Sequence, residues 1–337
     1  MLEIDQTVTE VQGVRPDEVP AEILTSTEPL LLKGLVEDWP FVKAGRESAA
    51  AAAQYLLKFY ADVPVGVGLG PPEMSGRFFY NDDMSGFNFD RDMARLDQVL
   101  AEILKYEHAE EAPSYYVGST KIDTCLPGFR AENDVDFGHR APLANFWLGN
   151  RTRVAAHWDL PDNLACCAVG RRRFTLFPPE QLENMYVGPL HVTPSGQEIS
   201  LVDLHNPDFD KYPKFREALK SAQVAEMEPG DALFVPSMWW HHVEGLDSLN
   251  VLVNYWWRQS PAYMGTPVNV LNHALLTIRD LPPEQRKVWH DIFQYYVFDA
   301  DEKTFEHIPE RARGPLGPID EQTARMLRAD LLNKLNR

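Results

Sequence analysis

Residues 153–177 read RVAAHWDLPDNLACCAVGRRRFTLF, and residues 228–244 read EPGDALFVPSMWWHHVE. Both are short apolar runs broken by turn formers such as Pro161-Asp162, Gly170 and Pro229-Gly230. That spacing predicts short strands, because no run is long enough for a helix and glycine and proline punctuate it. Working outward, the same texture holds from about 112 to 260, with runs at 114–118, 144–148, 153–159, 164–169, 173–177, 232–235 and 249–257. Many short strands separated by turns predict a β-sandwich or barrel. Residues 1–111 read as a mixed α/β segment packing on that core. It has a buried strand at 29–36, an alanine-rich helix from 49 to 60 begun by Ser48, and a strand-like 76–80 before the turn Asn81-Asp82-Asp83. A helix at 93–106 follows, with Leu96, Val99, Leu100, Ile103 and Leu104 on one face. After Pro261 the pattern is helical again, at 268–279, 283–297 and 320–335. Residues 261–337 therefore read as C-terminal helices, either a cover over the core or a dimerisation surface.

Thirty-two Lys and Arg against 50 Asp and Glu give the 337-residue chain a net charge of −18. An acidic surface repels phosphate backbones and anionic lipid, which argues against nucleic-acid and membrane partners. No apolar run reaches the roughly 18 residues that span a bilayer. The start, Met1-Leu2-Glu3-Ile4-Asp5, lacks the basic and apolar segments of a signal peptide. Three cysteines, two of them adjacent at 166 and 167, make no disulfide framework. The expectation is a cytoplasmic globular protein.

Two clusters carry chemistry. In His157-Trp158-Asp159, strand geometry would project the imidazole and carboxylate to one face with Trp158 on the other. In Trp239-Trp240-His241-His242, an apolar strand buries at least one imidazole, which then requires a hydrogen-bonding partner or a metal. The two histidines point to opposite faces, so one serves as a ligand and His242 finds a polar group or solvent. Two histidines and one carboxylate leave three octahedral positions open, the ligand set of non-haem Fe(II) oxygenases. The 82 positions between Asp159 and His241 would let the ligands come from opposite ends of a barrel. A structural zinc site would favour four ligands and cysteine. Cys166 and Cys167 read instead as small core residues.

His157, Asp159 and His241 together resemble the iron triad of the JmjC/cupin-like Fe(II)- and 2-oxoglutarate-dependent oxygenases. The resemblance is closest to the subgroup of the hypoxia-inducible-factor asparaginyl hydroxylase. It extends to Gly170 with the 171–179 run ending in Phe-Pro-Pro, to 202–213, to 230–244 and to 253–256, and covers about 112–260. Residues 29–40 resemble the family's N-terminal segment. The resemblance implies a mainly β fold with flanking helices, a double-stranded β-helix (jelly-roll/cupin) barrel at 112–260, and a C-terminal helical appendage. It also implies Fe(II) at His157, Asp159 and His241, with 2-oxoglutarate as cosubstrate and O2 as oxidant. Arg172 stands at the basic position that binds the distal carboxylate of 2-oxoglutarate, where close relatives use lysine. Arg171 and Arg173 are the alternatives, although alternation turns them away from the face of Arg172. Tyr116 matches a tyrosine that binds the same carboxylate, and Asn163 and Asn254 match amides near iron and cosubstrate. A threonine of close relatives is replaced here by Val154, which removes one hydrogen bond to the cosubstrate. The implied activity is hydroxylation of an amino-acid side chain of a protein or peptide, or of a small molecule, releasing succinate and CO2. The C-terminal helices resemble the part of relatives that forms a homodimer.

Plainer readings stand beside these. Tyr116 and Trp256 suit a barrel core, Asn163 and Asn254 suit buried turns, and Arg171–Arg173 suit a solvated edge strand. Glu244 reads as a surface residue or a neighbour of the ligands. The competing function is a metal- and ligand-binding cupin-type module or sensor without 2-oxoglutarate turnover.

Overall fold

The computed structural model describes residue 2 and residues 4–336. Met1 and Glu3, within the stretch read for a signal peptide, lie outside the described residues, as does Arg337. The strands of the first part are β1 (Thr9–Val11), β2 (Leu30–Leu32), β3 (Val65–Gly70), β4 (Arg77–Phe78), β5 (Asp90–Ala94) and β6 (Ser114–Lys121). Then come β7 (Leu143–Gly149), β8 (Arg153–His157), β9 (Asp162–Val169), β10 (Arg172–Phe177), β11 (Gln223–Met227), β12 (Ala232–Val235), β13 (Trp240–Gly245) and β14 (Asn250–Trp257). They form a large sheet in the order β1-β2-β12-β9-β14-β7-β6-β3-β5 and a small one in the order β11-β10-β13-β8-β4.

From β7 onward the chain winds between the sheets. β7, β9, β12 and β14 lie in the large sheet, while β8, β10, β11 and β13 lie in the small one. Their pairings are antiparallel. This is the winding of a double-stranded β-helix, in a mainly β protein with flanking helices. The strands pair into two separate sheets and do not close into one hydrogen-bonded barrel. Phe174, Leu176 and Val243 of the small sheet pack with Cys167, Leu233 and Leu252 of the large one. Behind the large sheet, Leu164, Phe234 and Val253 meet Phe41, Val42, Leu56 and Leu100 from α1 (Pro40–Glu47), α2 (Ala49–Leu57) and α3 (Leu96–Lys105). All eight residues of β9 are buried because both of its faces are covered. Each fully buried Leu or Phe contributes roughly 1.5–3 kcal/mol.

The first 111 residues are built into both sheets, supplying β1, β2, β3 and β5 to one and β4 to the other. Helix α3 begins later than its apolar periodicity suggests, because residues 90–94 pair with β3. Helix α2 starts where Ser48 predicts, with the serine oxygen accepting from Ala51 N at 3.0 Å. Two short helices, α4 (Ile122–Cys125) and α5 (Phe215–Leu219), complete this unit.

The chain divides into compact units Met1–Trp257 and Arg258–Arg337. The second holds α6 (Val268–Thr277), α7 (Pro283–Phe293), which runs on into a π turn, and α8 (Glu321–Leu335). Asp320 caps α8 by accepting from Thr323 N at 2.8 Å. Phe305 and Ala324 are its buried apolar side chains, while Leu276, Phe298 and Leu332 are exposed. Among the described residues no helix is long and apolar enough to cross a membrane.

Candidate active site

His157 is the last residue of β8, and Asp159 lies just beyond it, in the corner where the chain crosses to β9. The expected strand over 153–159 therefore stops two residues early, and alternation is not what brings the pair together. A second corner does so. Pro236 ends β12, and Met238 takes a left-handed φ of 69°, a conformation that non-glycine residues rarely adopt. From this corner Met238 N donates to Asp159 O at 2.9 Å. Ser237 N donates to Asp162 Oδ1 at 3.0 Å, and Ser237 Oγ to Leu160 O at 2.6 Å. The two crossings are thereby tied together, and the second leads directly into His241.

His241 and His157 are register partners on adjacent strands β13 and β8, not residues from opposite ends of a barrel. The register shifts between His241 and Val243, where the partner steps from His157 to Val154. This irregularity resets the alternation, so His157 and Val154, three apart, both line one cavity. His157 Nδ1 lies 2.9 Å from Ala155 O, and His241 Nδ1 lies 2.9 Å from Trp239 O. A carbonyl only accepts, so each Nδ1 carries the proton and each Nε2 keeps its lone pair. One ligand atom from each of His157, Asp159 and His241 lies within 4.8 Å of the others.

Electrostatics favour the same state. Burial, then the neighbouring His241, pushes the His157 imidazole down to about 4, so it is neutral at pH 7. Burial raises the Asp159 carboxyl, but the proximity of His241 and His157 outweighs it and holds the group below the ordinary range. His241 Nε2 lies 3.6 Å from Asp159 Oδ2.

The triad opens on a cavity of about 180 Å³ between the sheets, which Tyr116, Asn163, Arg172 and Asn254 also line. Arg172 is 4% exposed, and its Nε has no hydrogen-bond partner among the described residues. Burial lowers its pKa, and the groups acting against that are the Cys167 thiol and the Tyr116 phenol rather than a carboxylate. Arg171 instead makes a two-point ion pair with Asp247, at 2.9 and 3.1 Å, and Arg173 lies 3.6 Å from Glu226. Strand β10 is paired on both sides, with β11 and β13, so the solvated-edge reading of 171–173 does not hold. The Tyr116 phenol is raised by burial and opposed by Arg172. Val154 places a methyl-bearing wall in the same cavity.

Two contributions were not legible as site residues. Trp147 lines the cavity and donates from Nε1 to Asn254 Oδ1 at 2.8 Å. Residues 195–197, from the long excursion between β10 and β11, form part of the wall. That loop has no periodicity to mark it. Glu244 is 4% exposed, not a surface residue. On the outward face of β13, its carboxylate lies 2.5 Å from His205 Nε2 and 3.6 Å from His242 Nδ1. Burial, then His205, lowers His242 to about 3. His242 therefore belongs to a buried polar cluster on the side of the sheet away from the cavity.

The sequence profile of the cupin-like domain family matches residues 16–263, and the chain belongs to that family, as its JmjC/cupin resemblance implies. Its similarity to individual proteins is more distant. It is 36% identical over 117 residues to "Lysine-specific demethylase JMJ31" of Arabidopsis thaliana, covering 34% of this chain and 21% of that protein. It is 31% identical over 145 residues to "tRNA wybutosine-synthesizing protein 5" of Gallus gallus, covering 39% and 42%. "HSPB1-associated protein 1" of Rattus norvegicus is 24% identical over 333 residues, covering 90% and 66%. The chain thus spans between about a fifth and two-thirds of the length of these relatives.

Proposed function

We propose that this chain is an Fe(II)- and 2-oxoglutarate-dependent oxygenase. It would hydroxylate an amino-acid side chain of a protein or peptide, or a small molecule, with succinate and CO2 as coproducts. The observation that carries this reading is a single cavity lined by two imidazole Nε2 lone pairs, a carboxylate and a buried guanidinium that has no carboxylate partner among the described residues. A buried charge of that kind is unfavourable until an anion neutralises it. A dicarboxylate chelating a metal at the triad would bring such an anion.

Each residue has a task in this reading. His157, Asp159 and His241 would hold Fe(II) and leave three positions free. The chemistry that such a metal would supply, with 2-oxoglutarate and O2, is oxidation of a C–H bond. Arg172 would take the distal carboxylate, its planar fork suited to two parallel hydrogen bonds. The Tyr116 hydroxyl would donate to the same group, and Asn163 and Asn254 would position cosubstrate beside the metal. Trp147, Trp256, Leu252 and Phe174 line the cavity and would exclude water from it.

The net charge of −18 supports a protein, peptide or small-molecule substrate over RNA. The three free, buried cysteines suit a reducing, cytoplasmic setting. The exposed apolar side chains of 268–335 support a homodimer through these helices, and a monomer in sedimentation at micromolar concentration would remove that part. The activity is tested by supplying Fe(II), O2 and 2-oxoglutarate and measuring succinate. Succinate formation that Asp159→Ala abolishes is expected. Equal formation in wild type and variant would reject the assignment.

A further inference from the structure

Trp147, Asn254 and Asn163 form a hydrogen-bonded line with one direction. Trp147 Nε1 lies 2.8 Å from Asn254 Oδ1, and Asn254 Nδ2 lies 3.1 Å from Asn163 Oδ1. Flipping an asparagine exchanges its oxygen and nitrogen, so the orientation must follow from the network around it. Here an indole settles it, because an indole N–H can only donate. Asn254 must turn its oxygen to Trp147, which leaves its NH2 for Asn163. Asn163 must then answer with its oxygen, and its own NH2 is left over. Asn254 is 1% exposed and Asn163 6%, so water does not offer either amide an alternative within the line. The Asn163 Nδ2 is not among the sealed, partnerless atoms, and Asn163 lines the cavity with the triad and Arg172.

We propose that Trp147 is a positioning residue which, through Asn254, locks the Asn163 amide so that its NH2 group rather than its oxygen faces the cavity. There it donates to an oxygen of the bound 2-oxo acid. This rests on the oxygenase reading, which supplies the anion. A cavity that binds an anion gains from a fixed donor and loses from a fixed acceptor, and the indole excludes the wrong orientation through Asn254. Trp147 is held in place by its ring neighbours Tyr116 at 6.0 Å and Trp256 at 5.8 Å.

The test is calorimetric titration of 2-oxoglutarate into Mn(II)-loaded protein. Trp147→Phe keeps an aromatic ring and removes the N–H. It should weaken 2-oxoglutarate about tenfold, the loss of one hydrogen bond to a charged group, and leave Mn(II) affinity unchanged. Asn163→Ala should cause a similar loss, and the double variant no more than about twofold beyond it, because Trp147 acts through Asn163. Asn254→Asp keeps the shape but makes both oxygens acceptors. It should force Asn163 to turn its oxygen to the cavity, with a loss of about a hundredfold. Multiplying losses in the double variant, or wild-type affinity in Trp147→Phe, would overturn the relay. If wild-type protein binds Mn(II) but not 2-oxoglutarate, the oxygenase reading fails instead. The relay is then read from the Asn163 side-chain amide in the nitrogen-15 NMR spectrum of metal-free protein. A resonance that moves with Trp147→Phe supports it, and one that stays overturns it.

Discussion

Replacing Arg172 by methionine should make the metal-free protein more stable while removing its cosubstrate. The guanidinium is 4% exposed and has an unpaired Nε, and burial is the main influence on its pKa. Methionine fills similar space without a charge to desolvate. Exchanging buried ion pairs for apolar groups of like volume is often neutral or stabilising, by up to about 1–4 kcal/mol. A gain in that range is expected here, since Arg172 has no carboxylate partner among the described residues to lose in exchange. Binding should move the other way. Two charge-assisted hydrogen bonds of about 1.5–3 kcal/mol each would be lost, weakening 2-oxoglutarate by at least about a hundredfold. Denaturant unfolding of metal-free protein gives the first quantity, and titration of 2-oxoglutarate into Mn(II)-loaded protein gives the second. Arg171→Met is the control. Its Asp247 pair lies at the surface, so it should change cosubstrate affinity little. The reasoning is refuted if Arg172→Met is less stable than wild type and binds 2-oxoglutarate within threefold of it.

Other consequences follow from the same geometry. The folded-state pKa values of His157 and His242, about 4 and about 3, lie below the unfolded value, so the unfolded chain binds more protons. Metal-free protein should therefore lose stability as pH falls from about 6.5 toward 4, by about 1.4 kcal/mol per pH unit for each histidine. Denaturant titrations across that range check it, and a flat profile contradicts the neutral, buried imidazoles. Tyr116→Phe should weaken 2-oxoglutarate about tenfold and leave Mn(II) binding unchanged, and calorimetry separates the two. Gly170 has a φ of +68°, and an added Cβ would lie 2.4 Å from Leu249 O. Gly170→Ala should thus destabilise the fold by about 1–3 kcal/mol, measured by denaturant unfolding.

Much of this was legible in the sequence where one rule acted alone. Glycine and proline punctuation marked the strands of 112–260, and Ser48 marked a helix start. Strand alternation, a local property, favoured Arg172 over Arg171 and Arg173 for the cavity face without deciding which of them meets the cosubstrate. The pairing of His157 with His241 was not legible, since register depends on an irregularity between β8 and β13 that leaves no compositional trace. Asp159 joins the triad through hydrogen bonds between two corners more than 70 residues apart in sequence, not through strand periodicity. Glu244 could be read as a surface residue or as a neighbour of the ligands, because nothing local reveals that His205 returns to cover it. Trp147 and the 195–197 wall were missed for the same reason: their roles lie in what the fold brings next to them.

The most direct test of the account is anaerobic addition of Fe(II) and then 2-oxoglutarate, watching visible absorption for the charge-transfer band of a chelated 2-oxo acid. The account predicts a band in wild type that is lost in both His241→Ala and Arg172→Met. A folded protein that binds Fe(II) yet develops no band with 2-oxoglutarate would contradict it, and would favour a metal-binding cupin module.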